Sequence, residues 1–142
     1  MTFMVMYTVY GEPVGKGRPR FVRRGNFTQT YTPAKTKTYE DEIRYMARAA
    51  MGASEPLETP VTVAIYIRVE IPKSFSKQKR KDALANIIKP MKVPDCDNVA
   101  KCFLDSMNKI VYLDDKQVVN LHVTKVYSEI GAVEVMVKED LT

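Results

Sequence analysis

Between Pro60 and Pro72, the six residues Val61, Val63, Ile65, Ile67, Val69 and Ile71 take every second position, with Thr62, Tyr66, Arg68 and Glu70 among the residues between them. Successive side chains of an extended chain point to opposite sides, so this alternation predicts a strand with one face buried. Branched side chains repeated over that length need neighbours on the buried face. The strand is therefore expected at the centre of a sheet, with Pro72 ending it.

The flanking segments supply the rest of such a sheet. At the start, Phe3, Val5, Tyr7 and Val9 alternate with Met4, Met6 and Thr8, which predicts a first strand; the stretch lacks a basic leader and is too short to span a bilayer. From Lys116 to Tyr127, Val119, Leu121 and Val123 fall on one face and Val118, His122 and Val126 on the other. Gly131 then marks a turn into Val133, Val135 and Val137, and the two strands are expected to pair as an antiparallel hairpin. His122 is the only histidine, and its strand position suits packing better than catalysis.

A helix is predicted from about Thr38 to Met51, with Tyr39, Ile43, Met46, Ala47 and Ala50 on its buried stripe and Gly52 as its stop. Ser76 can cap a second, short helix running to about Ala85. At 142 residues and 45% apolar content the chain makes one domain. The expected class is α+β, a mixed and mostly antiparallel sheet packed with helices.

The net charge of +5 is unevenly spread. From Gly15 to Thr38 there is no acidic residue, while Lys16, Arg18, Arg20, Arg23, Arg24, Lys35 and Lys37 interleave with Phe21, Phe27 and Tyr31 in a loop or irregular hairpin. Lys73, Lys77, Lys79, Arg80, Lys81, Lys89 and Lys92 form a second run against the single Asp82. Together these runs hold 14 of the 22 lysines and arginines. Same-sign charge mixed with aromatic rings suits phosphates and bases, so both runs are candidate DNA contacts. The plainer alternatives are a solvated loop and an ordinary charged helix face.

The second run leads into Val93-Pro94-Asp95-Cys96-Asp97-Asn98-Val99-Ala100-Lys101. Val99, Ala100, Phe103, Leu104 and Met107 predict a third helix beginning there, with Asp97, Lys101 and Asp105 along its opposite side. Asp114 and Asp115 return just ahead of the next apolar run. One aspartate at a helix start is commonly a cap. Four carboxylates brought together by packing would raise one another's pKa unless a cation compensated them, and oxygen donors without histidine or paired thiols suit Mg²⁺ or Mn²⁺. Cys96 and Cys102 have no zinc spacing and fall on different sides of the helix, so reduced thiols in a cytoplasmic protein are expected.

The run Pro94-Asp95-Cys96-Asp97-Asn98 with Lys101, then Phe103-Leu104-Asp105, then Tyr112-Leu113-Asp114-Asp115-Lys116-Gln117-Val118-Val119, resembles the RusA family of Holliday junction resolvases, especially its phage-borne members. Gly15-Lys16-Gly17-Arg18-Pro19-Arg20-Phe21 and Tyr31-Thr32-Pro33-Ala34-Lys35 extend the likeness over most of the chain. The resemblance implies a homodimeric, Mg²⁺-dependent endonuclease that resolves four-way DNA junctions by paired symmetric nicks. It places the essential aspartates and lysine on Asp95, Asp97, Asp115 and Lys101, with Asn98 and Asp114 in the pattern. It also implies a bacterial cytoplasm as the setting, with prophage origin open, and no membrane partner.

In that reading Asp95, Asp97 and Asp115 hold the metal, Asp114 assists, and Lys101 faces charge developing on the phosphate. Lys16, Arg18, Arg20, Arg23, Arg24, Lys35, Lys77, Lys79, Arg80 and Lys81 would contact DNA. Two alternatives stand beside it: a non-enzymatic DNA-binding protein, and a metal-dependent nuclease acting on other branched nucleic acids.

Overall fold

The computed structural model describes residues 3–17, 20–31 and 33–141. Strand β1 spans Met4–Tyr10, β2 Arg20–Arg24 and β3 Phe27–Tyr31; helix α1 spans Ala34–Met51 and strand β4 Val61–Glu70. Helix α2 covers Lys77–Leu84, α3 Cys96–Ser106, β5 Val118–Ser128 and β6 Ala132–Glu139. A single 3₁₀ turn, Asp115–Gln117, precedes β5.

As the alternation requires, β4 is central. The main sheet runs in the order β1, β6, β4, β5, with β4 antiparallel to β6 and parallel to β5. Val61, Val63, Ile65, Ile67 and Val69 are buried on its covered face, beside Val5, Tyr7 and Val9 of β1 and Val133, Val135 and Val137 of β6. Helices α1 and α3 pack on that face and against each other, contributing Tyr39, Ile43, Ala47, Val99 and Phe103 to the core. Phe103 lies at its centre, 5.8 Å from the Tyr39 ring edge-on and 6.4 Å from the Tyr7 ring. With three of the four strands joined antiparallel and helices covering one face, the domain is α+β.

Several expectations are corrected. β5 and β6 do not form a hairpin; β4 lies between them, and residues 129–131 step across its end. A parallel pair needs a long crossover, and the stretch from Ile71 to Gln117, carrying α2 and α3, supplies it between β4 and β5. Gly131 approaches Gly11 closely there: the Gly11 N–H donates to its carbonyl at 2.9 Å, and a Cβ on Gly131 would stand 3.0 Å from the Gly11 oxygen.

His122 is exposed opposite Ala64 on the uncovered sheet face, which Met4, Met6 and Tyr66 share. It does not pack. Helix α1 begins earlier than predicted, right after Pro33, and Thr36, Glu40 and Met51 take buried positions while Ala50 is exposed. The basic loop contains a two-stranded ribbon, β2 with β3, separate from the main sheet.

Candidate active site

The predicted stripe of α3 is buried at Val99, Ala100 and Phe103, which leaves Asp97, Lys101 and Asp105 on the side away from the core. Asp95 is the N-cap residue, in extended backbone, yet its side chain makes no cap hydrogen bond and, among the described residues, accepts only from Asn98 Nδ2, at 3.4 Å. Both Asp95 and Asp97 are exposed. Their charge suits the positive end of the helix dipole.

The loop that delivers Asp95 is fixed from behind. Lys125 of β5 donates from Nζ to the carbonyls of Lys92 at 2.7 Å and Pro94 at 3.0 Å, so its ammonium fastens the residue directly before Asp95. On the other side, the Lys16 N–H donates to the Asn98 carbonyl at 2.9 Å.

Asp114 caps the 3₁₀ turn. Its Oδ1 accepts from the Lys116 N–H at 2.9 Å, and Gln117 Oε1 accepts from the Asp114 N–H at 2.9 Å, a reciprocal capping box. The Lys116 N–H holds the Asp114 carboxyl below its usual range. Gln117 also donates to the carbonyls of Leu57 and Thr59, both at 2.9 Å, anchoring the turn. Buried Tyr112 donates to the Leu104 carbonyl at 2.7 Å and docks the same corner on α3.

This docking brings Asp115 to Asp105. Partial burial raises the Asp115 pKa, and hydrogen bonding and charge from Asp105, then from Asp114, raise it further. Asp105 shares the signature but has no role in the sequence reading; only folding shows it as the neighbour of Asp115. Lys16 Nζ sits 2.7 Å from Glu40 Oε2 and 3.4 Å from Asp105 Oδ2, and Lys101 Nζ lies 4.0 Å from that same Asp105 oxygen. Lys101 thus pairs one turn onward with Asp105, at the limit of contact, and stays 65% exposed.

The acidic residues therefore occupy two places along one helix face: Asp95 and Asp97 at its start, and Asp105 with Asp114 and Asp115 toward its end. Asp97 and Asp105 are separated by eight residues of helix, about 12 Å of rise. Among the described residues no three of histidine, cysteine, aspartate or glutamate are grouped so as to hold a metal ion. The donor chemistry nevertheless fits Mg²⁺, which keeps several waters and is commonly held by one or two carboxylates plus substrate phosphates. The oxygens of Asp95 and Asp97 are exposed to such a cation, and one beside Asp115 would relieve the crowding that raises its pKa.

Of the expected DNA contacts, Lys35 and Arg23 are exposed, as are Lys77, Lys79 and Lys81 on α2, while Arg80 is half-buried. Lys79 Nζ lies 4.2 Å from the centre of the Phe75 ring. Arg18 falls outside the described residues, and only the backbone of Arg20 and Arg24 is described. Cys96 and Cys102 are both free thiols; burial pushes the Cys102 thiol up to about 12. No helix among the described residues is long and apolar enough to cross a membrane.

The profile of the family described as endodeoxyribonuclease RusA matches residues 10–138. The chain is also 38% identical, over 138 residues, to a protein of Bacillus subtilis (strain 168) described as "Uncharacterized protein YqaN", an alignment spanning 95% of this chain and 96% of that one. The family match takes in α3, the 3₁₀ turn and every aspartate of the candidate site. The chain belongs to the RusA endodeoxyribonuclease family.

Proposed function

We propose that this protein resolves four-way DNA junctions by paired symmetric hydrolytic nicks, acting with Mg²⁺, or Mn²⁺ in its place, as a cytoplasmic homodimer serving recombination, repair or phage DNA processing. Family membership supports the nuclease class. The observation that carries the reading to the site is Asp95, a helix N-cap whose carboxylate makes no cap bond and faces solvent beside a second exposed carboxylate, Asp97.

In this reading Asp95 and Asp97 at the start of α3, and Asp115 toward its end with Asp114, already committed to its turn, assisting, supply the cation-binding oxygens from two places along one helix face, completed by substrate phosphates. A divalent ion bound there supplies Lewis-acid polarisation of the scissile phosphate and an activated water. Lys101, exposed and only loosely paired, faces the negative charge that builds on the phosphate. The exposed lysines of α2, half-buried Arg80, and the basic residues from Arg18 to Lys37 neutralise the DNA backbone around the site. A two-fold protein matches the two nicks of a two-fold junction.

Substitution Asp97→Asn tests this. Junction cleavage in Mg²⁺ should fall by at least 10²-fold while junction binding in EDTA persists. A wild-type protein that binds junctions and never nicks them indicates a DNA-binding role instead, and preferential cleavage of flaps or RNA across a substrate panel redirects the activity to other branched nucleic acids.

A further inference from the structure

Lys16 stands in the first basic run, yet the fold turns it inward. Gly15 and Gly17 on either side permit this. A Cβ on Gly15 would stand 3.0 Å from the Asn98 Cβ, and one on Gly17 would stand 2.7 Å from Thr36 Oγ1. The segment is thus pressed between the start of α3 and the start of α1. The Gly17 N–H donates to Thr36 Oγ1 at 3.2 Å, and the Lys16 N–H donates to the Asn98 carbonyl.

The Lys16 ammonium meets Glu40 of α1 and Asp105 of α3, at 2.7 and 3.4 Å. The Lys16 side chain is 24% exposed and that of Glu40 is 8% exposed. Desolvation works against the charged lysine, but the bond and charge of Glu40, joined by Asp105, outweigh it and raise its pKa. Moving this ammonium to a DNA phosphate would leave a buried carboxylate without its cation, a costly arrangement.

We propose that Lys16 is a positioning residue and not a DNA contact: held between Glu40 and Asp105, it braces α1 against α3 and fixes Asp105 where it adjoins Asp115. The role rests on the nuclease reading above. It extends that reading by giving the glycine-flanked lysine a place behind the acidic face.

The test uses Lys16→Met, the double variant Lys16→Met/Glu40→Gln, which leaves no buried charge unpaired and so preserves folding, and Lys81→Met on α2 as a comparator. Junction binding is measured in EDTA over a range of salt, Mn²⁺ binding by calorimetry without DNA, and nicking under single turnover at saturating protein. Lys81→Met should make the salt dependence shallower by about one unit of slope. Lys16→Met and the double variant should leave the slope as in wild type, weaken Mn²⁺ binding by about 10-fold, and slow saturated nicking comparably.

A slope reduced by about one in either Lys16 variant, or a folded double variant with wild-type Mn²⁺ affinity and nicking rate, overturns the proposal. Failure of the nuclease reading looks different. Wild type would then neither bind Mn²⁺ nor nick, and the proposal would fall with it, while the unchanged slope would still keep Lys16 off the DNA.

Discussion

Substituting Asp115 with asparagine should stabilise the metal-free protein. Asp115 is partly buried and adjoins both Asp105 and Asp114, and these three causes raise its pKa. Two unit charges about 4 Å apart repel by about 1 kcal/mol in a water-like dielectric and by about 4 kcal/mol at an effective constant of 20. Asp115 is only half-buried, so the lower figure applies, and asparagine can still donate a hydrogen bond to Asp105. For a domain of this size about 1 kcal/mol corresponds to about 3 °C in Tm.

The pH dependence follows from the direction of the shift. A carboxyl whose folded pKa is raised gives the wild type stability that is present below the unfolded value, about 3.9, and lost as pH rises through the folded value. Asp115→Asn should therefore gain about 3 °C at pH 7.5 in EDTA and nothing at pH 3. Mg²⁺ should close or reverse the gap, since a ligand at ten times its Kd stabilises the folded state by about 1.4 kcal/mol. Circular dichroism melts of both proteins under the three conditions measure this. A variant less stable than wild type at pH 7.5 in EDTA, or a gain that persists at pH 3, would refute the reasoning.

Lys125→Met removes the two bonds to the carbonyls of Lys92 and Pro94. Water can replace the ammonium at these partly exposed groups, so the stability cost should be about 1–2 kcal/mol. Looser placement of Asp95 should slow single-turnover nicking by about 10-fold, with junction binding in EDTA unchanged. The two thiols should also separate: Cys96, half-buried, reacts with a disulfide reagent at pH 8 in the native protein, whereas Cys102, buried and with its pKa pushed up to about 12, reacts only on denaturation. Thiol titration with and without guanidinium reads this directly.

The elements that hydrophobic period defines were legible in the sequence, and those that polar pairing defines were not. β4 carries its alternation without interruption, so its existence and centrality follow from the side chains of one strand. Which strands flank it depends on hydrogen bonds between distant segments, and a three-residue step from β5 to β6 has the same composition as a hairpin turn. The start of α1 escaped for a related reason. Its first turns bury Thr36 and Glu40, which bond to Gly17 and Lys16, so no apolar stripe marks them.

The same division runs through the site. Asp95, Asp97, Asp114 and Asp115 form a motif visible in one dimension; Lys16, Glu40, Asp105 and Lys125 acquire meaning only when three other elements close around α3. Those contacts carry an electrostatic consequence. Bonds from Lys16, Lys125, Gln117 and Tyr112 fasten the backbone and rear of the acidic face, to carbonyls or to Glu40 and Asp105. None of those side chains bonds Asp95 or Asp97, whose carboxylates remain exposed on a helix held from behind. Had these cations paired with Asp95 and Asp97, the negative charge proposed to attract a divalent ion would be neutralised. Placing them behind the face keeps that charge at the surface and makes its position a property of the fold.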